Sequence, residues 1–313
     1  MKITVVYNEV KIKTYGKPED LLADVDTVKT AEEIALALSS LGYETELFKV
    51  DEESVRSLTK SYPTDLFFNN AFGIGSTAKS EADLTGILEK TSKPFSGATS
   101  KNIVLTTDKI ATKKILAAAM LPVPGNSKFP LIIKPAGEDC SLGISQASVV
   151  NNKMELKKQK KLLEKTYAEE VLIEEFIDGR ELNVTILGNQ VLPISEIIFG
   201  KSFKSKYKIV DFAAKWEEET DEFKETVGVC PAKLSEGLRR KIEEIALKAF
   251  MVTNCRDFAR VDMRLDKNNQ PYILEVNANP GIGPNDGVVR SAKAAGHSYL
   301  SFLQKIVSLA LLR

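Results

Sequence analysis

Two stretches in the last quarter of the chain, "FARVDMRL" (258–265) and "YILEVNANPG" (272–281), flank a turn-rich "DKNNQP". A β-strand points successive side chains to opposite faces. The first stretch therefore sets Ala259, Val261, Met263 and Leu265 on one face, and Arg260, Asp262 and Arg264 on the other. In the second, Tyr272, Leu274 and Val276 are expected on an apolar face, with Ile273, Glu275 and Asn277 on its reverse. Pairing Leu265 with Tyr272 places Asp262 opposite Glu275. Like charges directly opposite on a sheet destabilise it. A bound cation reverses that penalty. Asp, Glu and Asn supply the hard oxygen donors that suit magnesium, which takes further ligands from water and phosphate. A polar sheet face with arginines neutralising the carboxylates satisfies the same pattern.

At 313 residues the chain is long enough for two or three domains. Lys plus Arg and Asp plus Glu both number 43, so net charge gives no reason to expect nucleic acid or an anionic membrane as a partner. The N-terminal "MKITVVYNEV" lacks the apolar core of a signal peptide. Near the C-terminus, "YLSFLQKIVSLALLR" is broken by Gln304 and Lys305 and is expected as an amphipathic helix, not a membrane span. Cys140, Cys230 and Cys255 are odd in number and scattered, which fits a reducing cytoplasm. A single histidine, His297, excludes chemistry that needs two; it is read as a surface residue of an alanine-rich helical stretch.

Residues 2–7, 44–50 and 65–70 read as strands, and 27–41 and 81–90 as helices, with a short fourth strand in "KPFSG". This alternation predicts an open parallel sheet covered by helices. A helix from Asp108 to Met120, capped by Thr107, follows. Beyond "LPVPG" the pattern turns α+β and antiparallel: strands in "PLIIKPA", "ISQASVV", "VLIEEFI", "ELNVTILG" and "VLPISEII", and helices near 153–168 and 235–252.

Three further stretches carry charge in suggestive places. In "LIIKPAGEDCSLGIS" a strand delivers Lys134 into a loop bounded by Gly137 and Gly143, able to lay backbone N–H groups on phosphates. It also reads as an ordinary hairpin with a surface lysine. "VLIEEFIDGREL" sets Glu174, Glu175 and Glu181 within eight residues, as polar-group binders or as a solvated edge. "TTDKIATKK" puts Lys109 in the first turn of a helix, where a cation opposes the helix dipole and a shared anion relieves it.

Taken together and in this order, "PFSG", "DK…TK", "LPVP", "IIKPAGEDCSLGIS", "VLIEEFIDGREL", "CPAKL", "ARVDMRLD" and "YILEVNANPG" resemble the ATP-grasp superfamily, and within it the D-alanine–D-alanine ligase family. The resemblance implies an N-terminal open parallel-sheet domain (1–98) followed by an ATP-grasp fold of two α+β subdomains (99–179 and 180–313). It implies ATP and Mg2+ (or Mn2+) as cofactors, small amino acid or peptide substrates, and a homodimer. By position, Lys109 and Lys134 would contact ATP phosphates. Glu174, Phe176 and Ile177 would form the adenine strip, and Glu181 would hold the ribose. Asp262, Glu275 and Asn277 would bind the metal. Lys215 would reach the terminal phosphate from a mobile loop, Arg260 would stabilise the transferring phosphoryl group, and the Gly281 N–H would serve as oxyanion donor. Ser141 is carried as a catalytic candidate in the loop after Lys134. The implied reaction is an ATP-dependent carboxylate–amine ligation through an acyl phosphate. A non-catalytic ATP-binding module of the same fold is the alternative.

Departures cluster on the amino-acid side. The family's N-terminal Gly-Gly-x-Ser-x-Glu is absent, leaving Glu9, Asp24 or Asp26 as stand-ins. Phe72 stands where a histidine is usual, and Trp216 replaces the tyrosine after Lys215. Cys140 replaces a serine. Asp286 replaces the serine that anchors the second substrate's carboxylate, and an acid there is expected to attract an amine.

Overall fold

The computed structural model describes residues 1–10, 16–23, 26–74 and 78–313. The first apolar run forms β1 (Lys2–Tyr7). A chain of apolar residues at helical spacing follows as α1 (Asp26–Ser40), and then β2 (Glu44–Lys49) and β3 (Leu66–Asn69). Both strands pair parallel to β1, in the order β2-β1-β3. The expected fourth strand is no more than an isolated parallel bridge, Phe67 to Phe95.

Next come α2 (Ala78–Lys90), α3 (Ser100–Thr107) and α4 (Lys109–Ala118). The helix expected over 108–120 is α4; what differs is its cap and the additional helix α3 before it. Thr107 ends α3, and Asp108 caps α4 by accepting from the N–H groups of Ile110 and Ala111. An acidic cap at a helix N-terminus satisfies free donors and complements the dipole, which offsets Lys109 beside it.

A small antiparallel sheet, ordered β5-β4-β6, holds β4 (Leu131–Pro135), β5 (Val149–Val150) and β6 (Val171–Glu175), with α5 (Lys153–Tyr167) against it. The expected strand "ISQASVV" shrinks to two residues after a 3-10 turn at Gln146–Ser148. The larger sheet contains β7 (Arg180–Leu187), β8 (Gln190–Val191) and β9 (Ser195–Phe199). After the short helices α6 (Phe212–Trp216) and α7 (Asp221–Lys224) it continues with β10 (Thr226–Val229). Helix α8 (Glu236–Val252) then leads to β11 (Phe258–Leu265) and β12 (Pro271–Asn277). Its order is β10-β9-β7-β11-β12, with β8 on β7. On β11 the predicted alternation holds: Ala259, Val261, Met263 and Leu265 are fully buried in the core under α8.

On β12 it does not. Leu265 pairs with Pro271, not Tyr272, and a β-bulge falls between Met263 and Asp262. Leu274 is the extra residue, so Ile273 and Val276 both enter the core and Glu275 still pairs with Asp262. The expected facing of Asp262 and Glu275 is reached through two offsets that cancel.

The last helices, α9 (Gly287–Ala294) and α10 (Tyr299–Leu311), return to the beginning of the chain. Phe302, Leu303, Ile306 and Val307 share one core with Ile3 and Val5 of β1, Leu66 and Phe68 of β3, and Ile34 and Leu38 of α1. His297 lies half-buried in the connection between α9 and α10, not in a helix. All three cysteines are free thiols. No helix among the described residues is long and apolar enough to cross a membrane.

A second tie joins the N-terminal sheet layer to the "NANPG" turn. Glu81 of α2 is buried and accepts from Asn279 Nδ2 at 2.9 Å, while Asn279 Oδ1 accepts from Ala98 N at 2.8 Å. Burial pushes the Glu81 carboxyl up to about 8; the Asn279 bond opposes this and Asp139 adds to it.

Two outcomes are expected. Ile306→Ala removes a fully buried side chain from the shared core and should cost about 3 kcal/mol in urea unfolding. Glu81 binds its proton more tightly folded than unfolded, so its stabilisation is complete below about pH 4.5 and declines as pH rises towards about 8. Melting curves of wild type and Glu81→Gln should therefore diverge over that window, with the variant gaining relative to wild type as pH rises. Parallel curves would refute a buried neutral acid.

Candidate active site

The two antiparallel sheets face each other across a cavity of ≈ 580 Å³. Alternation delivers its charged lining. On β11, Arg260, Asp262 and Arg264 point away from the core, and on β7 Glu181 and Asn183 lie directly opposite Arg264 and Asp262. From the small sheet come Lys134 and Glu174, and from the start of α4 comes Lys109.

Asp262 is the most heavily bonded of these groups. Arg260 donates to it twice, Nε to Oδ1 and Nη2 to Oδ2, both at 2.7 Å. Asn183 Nδ2 donates to Oδ1 at 2.7 Å and Asn277 Nδ2 to Oδ2 at 3.0 Å. A carboxylate has about four acceptor sites, and all are engaged. Asn277 Nδ2 also reaches Glu275 Oε1 at 3.3 Å. One amide thus bridges the two carboxylates that the register sets face to face.

Glu275 is balanced differently. Burial alone would raise its pKa. Lys109, Lys134 and Arg260 outweigh this and pull the carboxyl down to about 2. Lys109 is 4.0 Å from Glu275, 2.7 Å from Asp139, and also donates to the Glu138 carbonyl. Against burial, these acids hold its ammonium up at about 12. Lys134 sits deeper; burial brings it down to about 8, with Lys109 contributing, although Glu275 opposes the shift.

Asp262, Glu275 and Asn277 do converge. Among the described residues no group of three or more His, Cys, Asp or Glu side chains could hold a metal; the set here is two carboxylates and one carboxamide. The choice between Oδ1 and Nδ2 of an asparagine is read from its hydrogen bonds. Turning the Asn277 amide over would free one acceptor site on each carboxylate and present a third oxygen. That donor set suits a hard divalent cation.

The adenine-strip candidates lie together, with a difference. Phe176 and Ile177 line the cavity. Glu174 lines it too, with its buried carboxylate set between two lysines: Lys134 Nζ is 3.0 Å from Oε1, and Lys113 pairs with it as well. Glu181 accepts from Arg264 Nη2 at 2.8 Å and Nε at 3.1 Å, while Arg264 Nη1 donates to the Ile177 carbonyl at 2.9 Å. Arg264 also lies 5.3 Å from the Phe176 ring. A buried arginine therefore fixes three of the expected nucleotide contacts, although the sequence reading placed it only on a polar face.

Lys215 is on α6, not on a loop. Asp211 caps that helix, and Trp216 Nε1 donates to the Cys140 carbonyl at 2.9 Å. Ser141 Oγ donates to the Val210 carbonyl at 2.8 Å, so this hydroxyl ties the loop after Lys134 to the strand-to-helix segment before Lys215. Cys140 and Ser141 both hold positive φ, 57° and 62°, a backbone state that non-glycine residues seldom adopt. Gly281 lines the same cavity, as does Phe72.

Of the N-terminal stand-ins, Glu9 is exposed and pairs with Lys49 at 3.1 Å, away from the cavity lining. Asp24 lies outside the described residues, as does the side chain of Asp26. Sequence reading missed Lys113, Asn183, Asn279 and Arg290. Lys113 carries a legible signal, one helical turn after Lys109 on the same face. The others depend on which strands and loops become neighbours.

Comparison with known proteins agrees with this architecture. A family model described as "D-ala D-ala ligase C-terminus" matches residues 98–308. The uncharacterized protein y4sG of Sinorhizobium fredii is 32% identical over 304 residues, covering 90% of this chain and 87% of that one. A D-alanine–D-alanine ligase of Carboxydothermus hydrogenoformans is 31% identical over 313 residues, covering 91% and 93%. In three dimensions, the D-alanine–D-alanine ligase of Bacillus anthracis complexed with ATP superposes with a TM-score of 0.77 at 24% identity, over 99% of this chain and 97% of that one, which shows a shared ATP-grasp fold. The chain belongs to the D-alanine–D-alanine ligase family.

Proposed function

We propose that the protein is an ATP-dependent carboxylate–amine ligase working through an acyl phosphate, with an amino-acid pocket that departs from its D-alanine-specific relatives. One observation carries this reading: Lys109, Lys134, Arg260, Asp262, Glu275 and Asn277 line one cavity between two sheets. In the same reading the chain divides near residues 98 and 179, and ATP lies between the sheets against Phe176 and Ile177. Lys109 and Lys134 take its phosphates and Glu181 its ribose. Magnesium or manganese, held by Asp262, Glu275 and Asn277, would neutralise phosphate charge.

A donor carboxylate oxygen attacks the γ-phosphorus, and the bond to the ADP oxygen breaks. Arg260 faces the charge that builds up on the transferring group; its two hydrogen bonds to Asp262 keep its plane fixed, so little reorganisation is needed. The acceptor nitrogen then attacks the acyl carbon. In this reading the Gly281 N–H receives the oxyanion, and the departing phosphate takes up the amine's proton. Positioning and charge neutralisation supply the rate, and no histidine is required.

The test is phosphate release from ATP with magnesium over pairs of amino acids, with product mass identifying any amide. Wild type should turn over at least one pair. Glu275→Gln should retain its fold and lose about 10²-fold or more in kcat. Tight ATP binding with no turnover on any pair would instead support a nucleotide-sensing module. Turnover confined to D-alanine would remove the altered pocket from the proposal.

A further inference from the structure

The corner of the cavity beyond Gly281 holds a cation that the sequence did not single out. Arg290, one turn into α9, donates from Nε to Ser195 Oγ at 3.1 Å. Ser195 is fully buried on β9 and donates in turn to the Val229 carbonyl. The guanidinium lies on the backbone of Gly228 in β10: a Cβ built there would fall 2.1–2.3 Å from Cζ and both terminal nitrogens. Only a glycine at 228 leaves room for the group. One nitrogen is anchored, one face is covered, and the side chain borders the cavity beside Asp286.

Asp286 has other work. Its Oδ2 accepts from Gly283 N at 2.6 Å, and a Cβ on Gly281 would come within 2.7 Å of the same oxygen. The acid closes the turn that carries Gly281, a structural task that the sequence reading did not foresee. Among the described residues Arg290 has no acidic partner within ion-pair distance. Burial and nearby Arg260 hold its guanidinium below the ordinary arginine range, while Cys230 and Asp286 act in the opposite sense. A half-buried cation, fixed in orientation and lacking a carboxylate of its own, is a site for a planar anion.

We propose that Arg290 is a specificity-determining residue that binds a carboxylate carried by the acceptor amine, with Asp286 serving as the clasp of the Gly281 turn. The inference rests on the ligase reading and assigns the charge of its second substrate. The acceptor is then an amino acid or peptide with a free carboxylate near its reacting nitrogen. Neither a simple amine nor an amidated amino acid meets that requirement.

Amidated amino acids test this directly, because they have no carboxylate to donate and can enter only as acceptors. Glycine, D-alanine, L-alanine and D-serine are offered to the full chain in all pairings with ATP and magnesium. Each acceptor is then replaced by its amide. Wild type should use the acid at least about tenfold better in kcat/KM. Arg290→Met should raise the acceptor KM about 10–100-fold, leave kcat within a few-fold, and abolish the acid-over-amide preference. Arg290→Lys should restore part of that preference. Should the methionine variant fail to fold, Gly228→Ala displaces the guanidinium with its charge intact and should give the same KM shift. Equal use of acids and amides by wild type, or an unchanged preference in a folded Arg290→Met, would overturn this inference and leave the ligase reading standing. No turnover on any pairing would overturn both.

Discussion

The paired carboxylates of Asp262 and Glu275 are the constraint around which the rest of the site is arranged. Two acids facing each other across adjacent antiparallel strands repel, and burial makes the repulsion larger because the interior screens charge poorly. The protein resolves this with three separate devices. Arg260 takes both oxygens of Asp262 from the same strand, the Asn277 amide bridges the acids, and Lys109 and Lys134 supply positive potential to Glu275. Each device comes from a different element, so the two sheets and α4 must meet at this point for the acids to be tolerated. Buried ion pairs contribute little net stability against apolar packing of the same volume. Their presence here is better understood as a demand of the site than of the fold.

The same reasoning explains why the nucleotide side looks pre-formed. Arg264 is buried with its guanidinium divided between Glu181, the Ile177 carbonyl and the Phe176 ring. Any shift of the strand-to-strand turn at 176–180 would strand that charge without partners, at a cost of several kcal/mol. The turn itself is crowded: a Cβ at Gly179 would lie 1.9 Å from the Leu265 carbonyl oxygen, so only glycine lets the turn pass the end of β11. Sheet, turn and arginine therefore hold each other in register, and the cavity wall is rigid where the base is proposed to lie.

How much of this was legible depended on whether a feature is set by local pattern. Alternation on β11 follows from sequence alone, because one residue in two must enter a core, and the pairing of Asp262 with Glu275 was anticipated. The bulge at Leu274 was not: a bulge adds one residue without changing composition, and no residue in "YILEVN" announces it. The helix from Asp108 was anticipated, but with Thr107 as its cap; both residue types cap helices, and only the arrangement of α3, which Thr107 ends, decides for Asp108. Glu174 shows a third kind of limit. Its position in the strand was right, yet its carboxylate is claimed by Lys113 and Lys134, and Lys113 arrives from a helix sixty residues earlier. The return of α10 to the first sheet likewise required knowing which apolar faces find each other.

These limits bear unequally on the two halves of the cavity. Metal and phosphate groups are proposed to sit on strands, where period and register place side chains that a single sequence can predict. The half proposed to take the amino acids is built from the ends of α2 and α9, the "NANPG" turn and one edge strand, and its residues meet through Asn279, Asp286 and Gly228. A substitution there is hard to interpret alone. Serine to aspartate at 286 reads as a reversal of charge preference, yet the aspartate accepts from Gly283 N and Arg290 stands near it on the cavity wall. The net character of the corner is set by the pair. If Arg290 holds the acceptor's carboxylate as proposed, divergence on this side has moved the anion-binding group from one residue to another without changing the charge it selects.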